Sequence, residues 1–175
     1  MVFGRLVGIW VMAAAVLAVW TSAGVAAGNA AVGPSGLPVP RYVSLKSDHV
    51  NVRAGPTKEN DVTWVYTRPG LPVEITAEFE NWRRVRDSEG AEGWVYHALL
   101  SGRRTAVVTM KSKTELASVY DKPDPQSAVA ARLEAGVVTQ VKRCQSGWCR
   151  VQGNGFDGWI EQQRLWGVYA DEKLN

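Results

Sequence analysis

VNVRAGPTKENDVTWVYTRPGLPVEITAEFENWRRVRDSEGAEGWVYHALLSG, from Val50 to Gly102, is the stretch that decides the fold. Val50 and Val52 alternate with polar neighbours, the period-2 pattern of a strand with one buried face. Ala54-Gly55-Pro56 ends that strand, and Thr57–Asp61 is a polar excursion. Val62–Thr67 is β-branched and aromatic, which favours a strand. Pro69-Gly70 signals a turn before Leu71–Phe79, where Val73 and Ile75 alternate. Glu80-Asn81 turns the chain into Trp82–Arg86, with Val85 inward. Asp87–Gly90 reads as a hairpin loop closed by a glycine, where positive φ is cheap. Gly93–Tyr96 is the partner strand, and His97–Leu100 a single 3₁₀-type turn before an exit strand near Gly102. Five or six short strands at turn spacings of about ten residues predict a small closed barrel or sandwich.

The chain then repeats itself. Val43-Ser44-Leu45-Lys46-Ser47 returns as Val108-Thr109-Met110-Lys111-Ser112. Gly70 returns as Gly136, Trp82 as Trp148, and Arg84-Val85 as Arg150-Val151. Gly93-Trp94-Val95 returns as Gly158-Trp159-Ile160, and Leu100 and Gly102 as Leu165 and Gly167. Matches that keep their order at a near-constant offset are the mark of a duplicated domain. The reading is all-β: two tandem barrels, at 41–107 and 108–172. No Gly/Ser linker separates them, so the exit strand of one leads directly into the other.

The first 40 residues read differently. Arg5 precedes an apolar run, Leu6–Trp20, and small residues follow it. These are the three regions of a secretory signal peptide, placed at 1–27. The run is shorter than the roughly 18–20 residues that span a bilayer comfortably. Contact with a membrane is therefore expected only if the segment stays uncleaved. Residues 28–40 (GNAAVGPSGLPVP) are rich in Gly, Pro and Ala, and read as a flexible tether. Location is thus periplasmic or secreted. In an exported chain the even pair Cys144 and Cys149, in CQSGWC, predicts a disulfide across a tight hairpin.

Composition narrows the function. Twenty Lys and Arg against 17 Asp and Glu give a formal charge of +3. That balance argues against a nucleic-acid partner, which needs a basic face. A Cys–His hydrolase needs a thiolate within reach of an imidazole. Both histidines, His49 and His97, lie in the first unit and both cysteines in the second. Two histidines without a carboxylate cluster at ligand spacing make a weak metal signal. The reading is a non-enzymatic protein with no catalytic residue, metal or cofactor.

NVRAGP, GLPVEI, WRRVRD and GWVYHALLSG together resemble the bacterial SH3-like domain family over about Ser44–Val108. The second unit resembles a diverged copy, with Ser118–Pro123 (SVYDKP) in place of NVRAGP. The resemblance implies a five- to six-stranded SH3-type barrel, export, and binding of peptides or cell-wall peptidoglycan. In such a barrel Val65 is the expected core residue, leaving Trp64 and Tyr66 outward. Val85 inward likewise leaves Trp82, Arg84 and Arg86 outward. Trp64, Tyr66, Trp82 and Arg84 are therefore the candidate binding residues, for stacking on an extended peptide or on sugar faces. Arg53 joins them as part of the family element, or instead forms a local ion pair with an acidic neighbour. Packing of Trp64 and Trp82 within the protein is the alternative reading. Trp94 and Trp159 read as hairpin framework. The expected partner is peptidoglycan or a periplasmic protein; the alternative function is a structural protein that docks and regulates a periplasmic enzyme.

Overall fold

The computed structural model describes residues 31–112 and 114–175. The expected signal segment lies outside the described residues. Two sheets of seven strands account for most of the described chain. The first is built from β3 (Arg41–Leu45), β4 (Val50–Arg53), β5 (Val62–Tyr66), β6 (Pro72–Phe79), β7 (Trp82–Arg86), β8 (Glu92–Tyr96) and β9 (Leu100–Ser101). The second uses β10 (Thr105–Val108), β11 (Ala117–Tyr120), β12 (Val129–Leu133), β13 (Val138–Gln145), β14 (Trp148–Gly153), β15 (Phe156–Glu161) and β16 (Leu165–Trp166). Their spatial orders are β5-β4-β8-β7-β6-β3-β9 and β12-β11-β15-β14-β13-β10-β16. Each strand has its counterpart in the same place.

Irregularities repeat as well. The register slips between Ile75 and Ala77 and again between Val141 and Arg143, on the counterpart strands. It slips between Val52 and Arg53 and again between Val119 and Tyr120. An extra residue bends its strand and increases the local twist, which helps a short sheet to curl over a core. A single 3₁₀ turn, His97–Leu99 or Gln162–Arg164, precedes the last strand of each sheet.

Both cores are aliphatic. Leu45, Val50, Val52, Val73, Ile75, Val85 and Val95 are sealed in the first, and Val108, Val119, Val151 and Ile160 in the second. Each such side chain contributes about 1.5–3 kcal/mol relative to exposure. The recurring Gly-Trp pair has a packing cause. A Cβ on Gly93 would stand 2.4 Å from Val52 Cγ1, and one on Gly158 would stand 2.6 Å from the Tyr120 carbonyl oxygen. The hairpin strand crosses its neighbour too closely there for any side chain.

Three features differ from the expectations. Residues 31–40 are no loose tether: β1 (Ala31–Val32) pairs with β2 (Pro38–Val39) as a small hairpin. The turn between them delivers Ser35 N and Oγ to the Glu78 carboxylate at 2.9 and 2.8 Å. β10 begins at Thr105, so the second sheet starts ahead of position 108. Val65 is 36% exposed, while Trp64 and Tyr66 pack on the core. The register explains this inversion. Trp64 faces Val52 and Tyr66 faces Val50, both core residues, whereas Val65 faces Asn51 on the outer side.

Contacts also run between the units. Tyr42 packs on Trp166 and Tyr169, with ring centroids 5.1 and 4.7 Å apart. Tyr169 Oη donates to Glu74 at 2.9 Å, and Arg68 donates to the Gly136 carbonyl at 3.0 Å. Burial, and next the Glu74 carboxylate, pushes the Tyr42 phenol up to about 12.

Candidate functional site

Cross-strand pairs share a face, so the register maps the outer surface of the first sheet. Arg53 pairs with Trp94, Trp94 with Arg84, and Arg84 with Ala77. The adjacent row runs Tyr96, Trp82, Phe79. Arginines and aromatics therefore interleave on one outward face of the β7–β8 hairpin. Phe79 is 49% exposed, and Trp94 and Tyr96 are half-buried. Trp82 lies on this face as its alternation with Val85 requires, but it is covered: Tyr96 meets it edge-on at 5.5 Å and only 8% of it is exposed.

Three of the five residues singled out from the sequence, Arg53, Trp82 and Arg84, share this face. Trp64 and Tyr66 do not. They meet edge-to-face at 6.0 Å on the core side of the sheet. Tyr66 Oη donates to Asp87 at 2.9 Å, and burial, then that hydrogen bond, pushes its phenol well above the ordinary range. Among the described residues Arg53 makes no ion pair with an acid; it donates to the Asn60 carbonyl at 2.6 Å and ties down the loop after Gly55. Trp94, Tyr96 and Phe79 were missed as a set. The signal was present: Trp94 and Tyr96 stand two apart on one strand, as Trp82 and Arg84 do.

Arg84 is held 2.7 Å from Glu92, and half of its side chain remains open to solvent. The second unit keeps this arrangement. Arg150 pairs with Trp159 across the hairpin and lies 2.8 Å from Asp157. Trp148 stands in the place of Trp82, with Tyr120 edge-on at 5.7 Å. The disulfide Cys144–Cys149 closes the turn ahead of it, as the spacing predicted. Both thiols are consumed in that bond, so neither is available as a nucleophile.

One end of the first barrel is closed by charge. Glu78 receives Arg41 at 2.7 Å and Arg83 at 3.1 Å, beside the two Ser35 donors. Burial opposes its ionisation. The Ser35 amide, Arg41 and the Ser35 hydroxyl, with the charge of Arg83, outweigh that and hold its carboxyl at about 2.

Two SH3-like sheets, each with an aromatic and arginine face on the same hairpin, define a small β-barrel module. The model of the bacterial SH3 domain matches residues 46–102 and again 113–167, and the chain belongs to that family. It is similar to YrvJ of Bacillus subtilis (strain 168), a protein named for N-acetylmuramoyl-L-alanine amidase activity. Identity is 21% over 126 residues, 68% of this chain and 24% of that protein. The chain thus spans about a quarter of that curated relative. Among solved structures it is similar to NlpC2 from Trichomonas vaginalis, at 15% identity over 73% of this chain and 48% of that one, with a TM-score of 0.33. NlpC1 from the same organism gives 15% identity over 78% and 48%, with a TM-score of 0.32. Scores at this level carry no structural argument.

Proposed function

We propose that this is an exported, non-enzymatic binding module that recognises peptidoglycan, or a peptide segment presented in the cell envelope, through the outer face of the β7–β8 hairpin. The observation that carries the reading is the interleaving of Trp94, Tyr96 and Phe79 with Arg53 and Arg84 on one face. Flat aromatic surfaces suit sugar rings and extended peptides, and the guanidinium groups suit carboxylates. Membership of the bacterial SH3 family supports it, as does a relative named for N-acetylmuramoyl-L-alanine amidase activity.

The test is co-sedimentation of the full chain with purified peptidoglycan sacculi at low and high salt. It is run beside Phe79→Ser and Arg84→Ala, with circular dichroism to confirm folding. Stacking on glycan persists in salt and weakens in Phe79→Ser, by up to about tenfold for one exposed aromatic. Docking through arginine weakens with salt and in Arg84→Ala. No sedimentation at either salt concentration refutes wall recognition and leaves a protein partner.

A further inference from the structure

One of the places where the second unit departs from the first opens a cleft. In the first unit Asn81 O accepts from His97 N at 2.9 Å; in the second Gly147 O accepts from Gln162 N at 2.8 Å. These matching bonds fix the equivalence of the two sites. Trp82 pairs with Tyr96 and is sealed by it, whereas Trp148 pairs with Glu161 and stays half-buried. The cross-strand aromatic has been replaced by a carboxylate, and the aromatic edge on Trp148 comes instead from Tyr120 on β11. Trp148 now lines a cleft of about 480 Å³ with Glu161, Gln162, Leu165, Val168 and Asp171.

The far wall of that cleft is the segment after β16. It has no counterpart in the first unit, where the chain runs on from Ser101 into β10. Arg104 secures it, donating to Glu172 at 2.7 and 3.0 Å and to the Gly167 carbonyl at 2.9 Å. Leu174 adds a backbone pair with Cys144 at 2.9 and 3.1 Å. Gln162 Nε2 donates to the carbonyls of Tyr169 and Glu172 at 2.6 and 3.2 Å. These bonds orient the amide and leave Oε1 without a donor among the described residues, on a residue only 6% exposed. A buried acceptor left unpaired is rare in folded proteins and asks for an explanation.

The chemistry of the lining is one-sided. Among the described residues no Lys or Arg lines the cleft, in a chain whose formal charge is +3. Glu161 Oε2 receives Gln163 and Arg164 at 3.2 and 3.4 Å, while Glu161 Oε1 and the Asp171 carboxylate have no donor among the described residues. Two carboxylates and an indole face match a cation that can also donate N–H. Leu165 and Val168 supply apolar surface for a stem.

We propose that this cleft binds a primary ammonium carried on a short aliphatic stem of a peptide. The ammonium lies between Glu161 and Asp171, and the stem packs along Trp148. The site is separate from the first-unit face, and neither reading needs the other.

The test is a nuclear magnetic resonance titration of the full chain with two probes, Nα-acetyl-lysine methylamide and its Nε-acetylated analogue, which lacks the charge. Expected are saturable shifts of the Trp148 indole and the Gln162 side-chain amide with the first probe, and binding at least about tenfold weaker with the second. Asp171→Asn, on an exposed position, and Glu161→Gln each weaken the first probe without unfolding the chain. Arg84→Ala leaves the titration unchanged. Equal response to both probes, or no saturable shift with the charged one, overturns the proposal. Sacculus binding without the ammonium response would sink this site alone, and the reverse would sink the wall reading alone.

Discussion

Replacing Glu78 by Gln should loosen the segment before β3 and do so in a pH-dependent way. The carboxylate is the single anchor for four donors, from Ser35, Arg41 and Arg83. Its folded-state value of about 2 lies below the ordinary 4.5. The stabilisation is therefore fully present above pH 4.5 and is lost as pH falls through 2. The displacement sets a ceiling of about 3 kcal/mol at neutral pH. Screening at this partly open end of the barrel brings the expected loss to roughly 1–2 kcal/mol. For a chain of this length each kcal/mol moves the midpoint by about 2–4 °C. The assay is thermal unfolding of the wild type and Glu78→Gln at pH 7, pH 3 and pH 2. The gap between them should be several degrees at pH 7, shrink to less than half at pH 3, and all but close at pH 2. Other carboxylates titrate in both proteins, so the difference isolates Glu78. A gap of equal size at all three pH values would refute the electrostatic account, and no gap at pH 7 would refute the anchor itself. Limited proteolysis provides an independent readout: cleavage beside Leu37 should accelerate in the variant at pH 7.

Arg104→Ala removes both bonds to Glu172, whose carboxyl Arg104 holds below its usual value against the effect of burial. Hydrogen exchange should accelerate across 168–175 while the first unit stays protected. Reducing Cys144–Cys149 opens a short loop (sequence separation 5) and should cost the second unit about 2 kcal/mol by the chain-entropy model. Calorimetry with and without reductant would show that transition move and the first stay. Gly158→Ala should cost more than Gly93→Ala, within about 1–3 kcal/mol for overpacking. The added Cβ on Gly158 meets the Tyr120 carbonyl, whereas the one on Gly93 first meets the Val52 side chain. Equal denaturation midpoints for the two variants would contradict this.

The sequence by itself determined the strands, the duplication and the disulfide. Alternation of period 2, turn residues and ordered repeats are local signals, and the pairing of Cys144 with Cys149 needs only a hairpin between them. Arg53, Trp82 and Arg84 could be placed on one face from the inward Val52 and Val85 beside them. The side on which Trp64 and Tyr66 fall was not legible, because alternation says that two residues share a face and not which face is buried. Strand register decides that, and it set Trp64 against Val52. The Ser35 turn looked unstructured because Gly and Pro cannot build a core, yet it is held by a carboxylate 43 positions away. Only the tertiary structure decided that Trp82 is buried and Trp148 half-buried. The two tryptophans match in sequence, but their exposure is set by the residue opposite, Tyr96 or Glu161, and by a C-terminal segment folded back from the far side of the barrel.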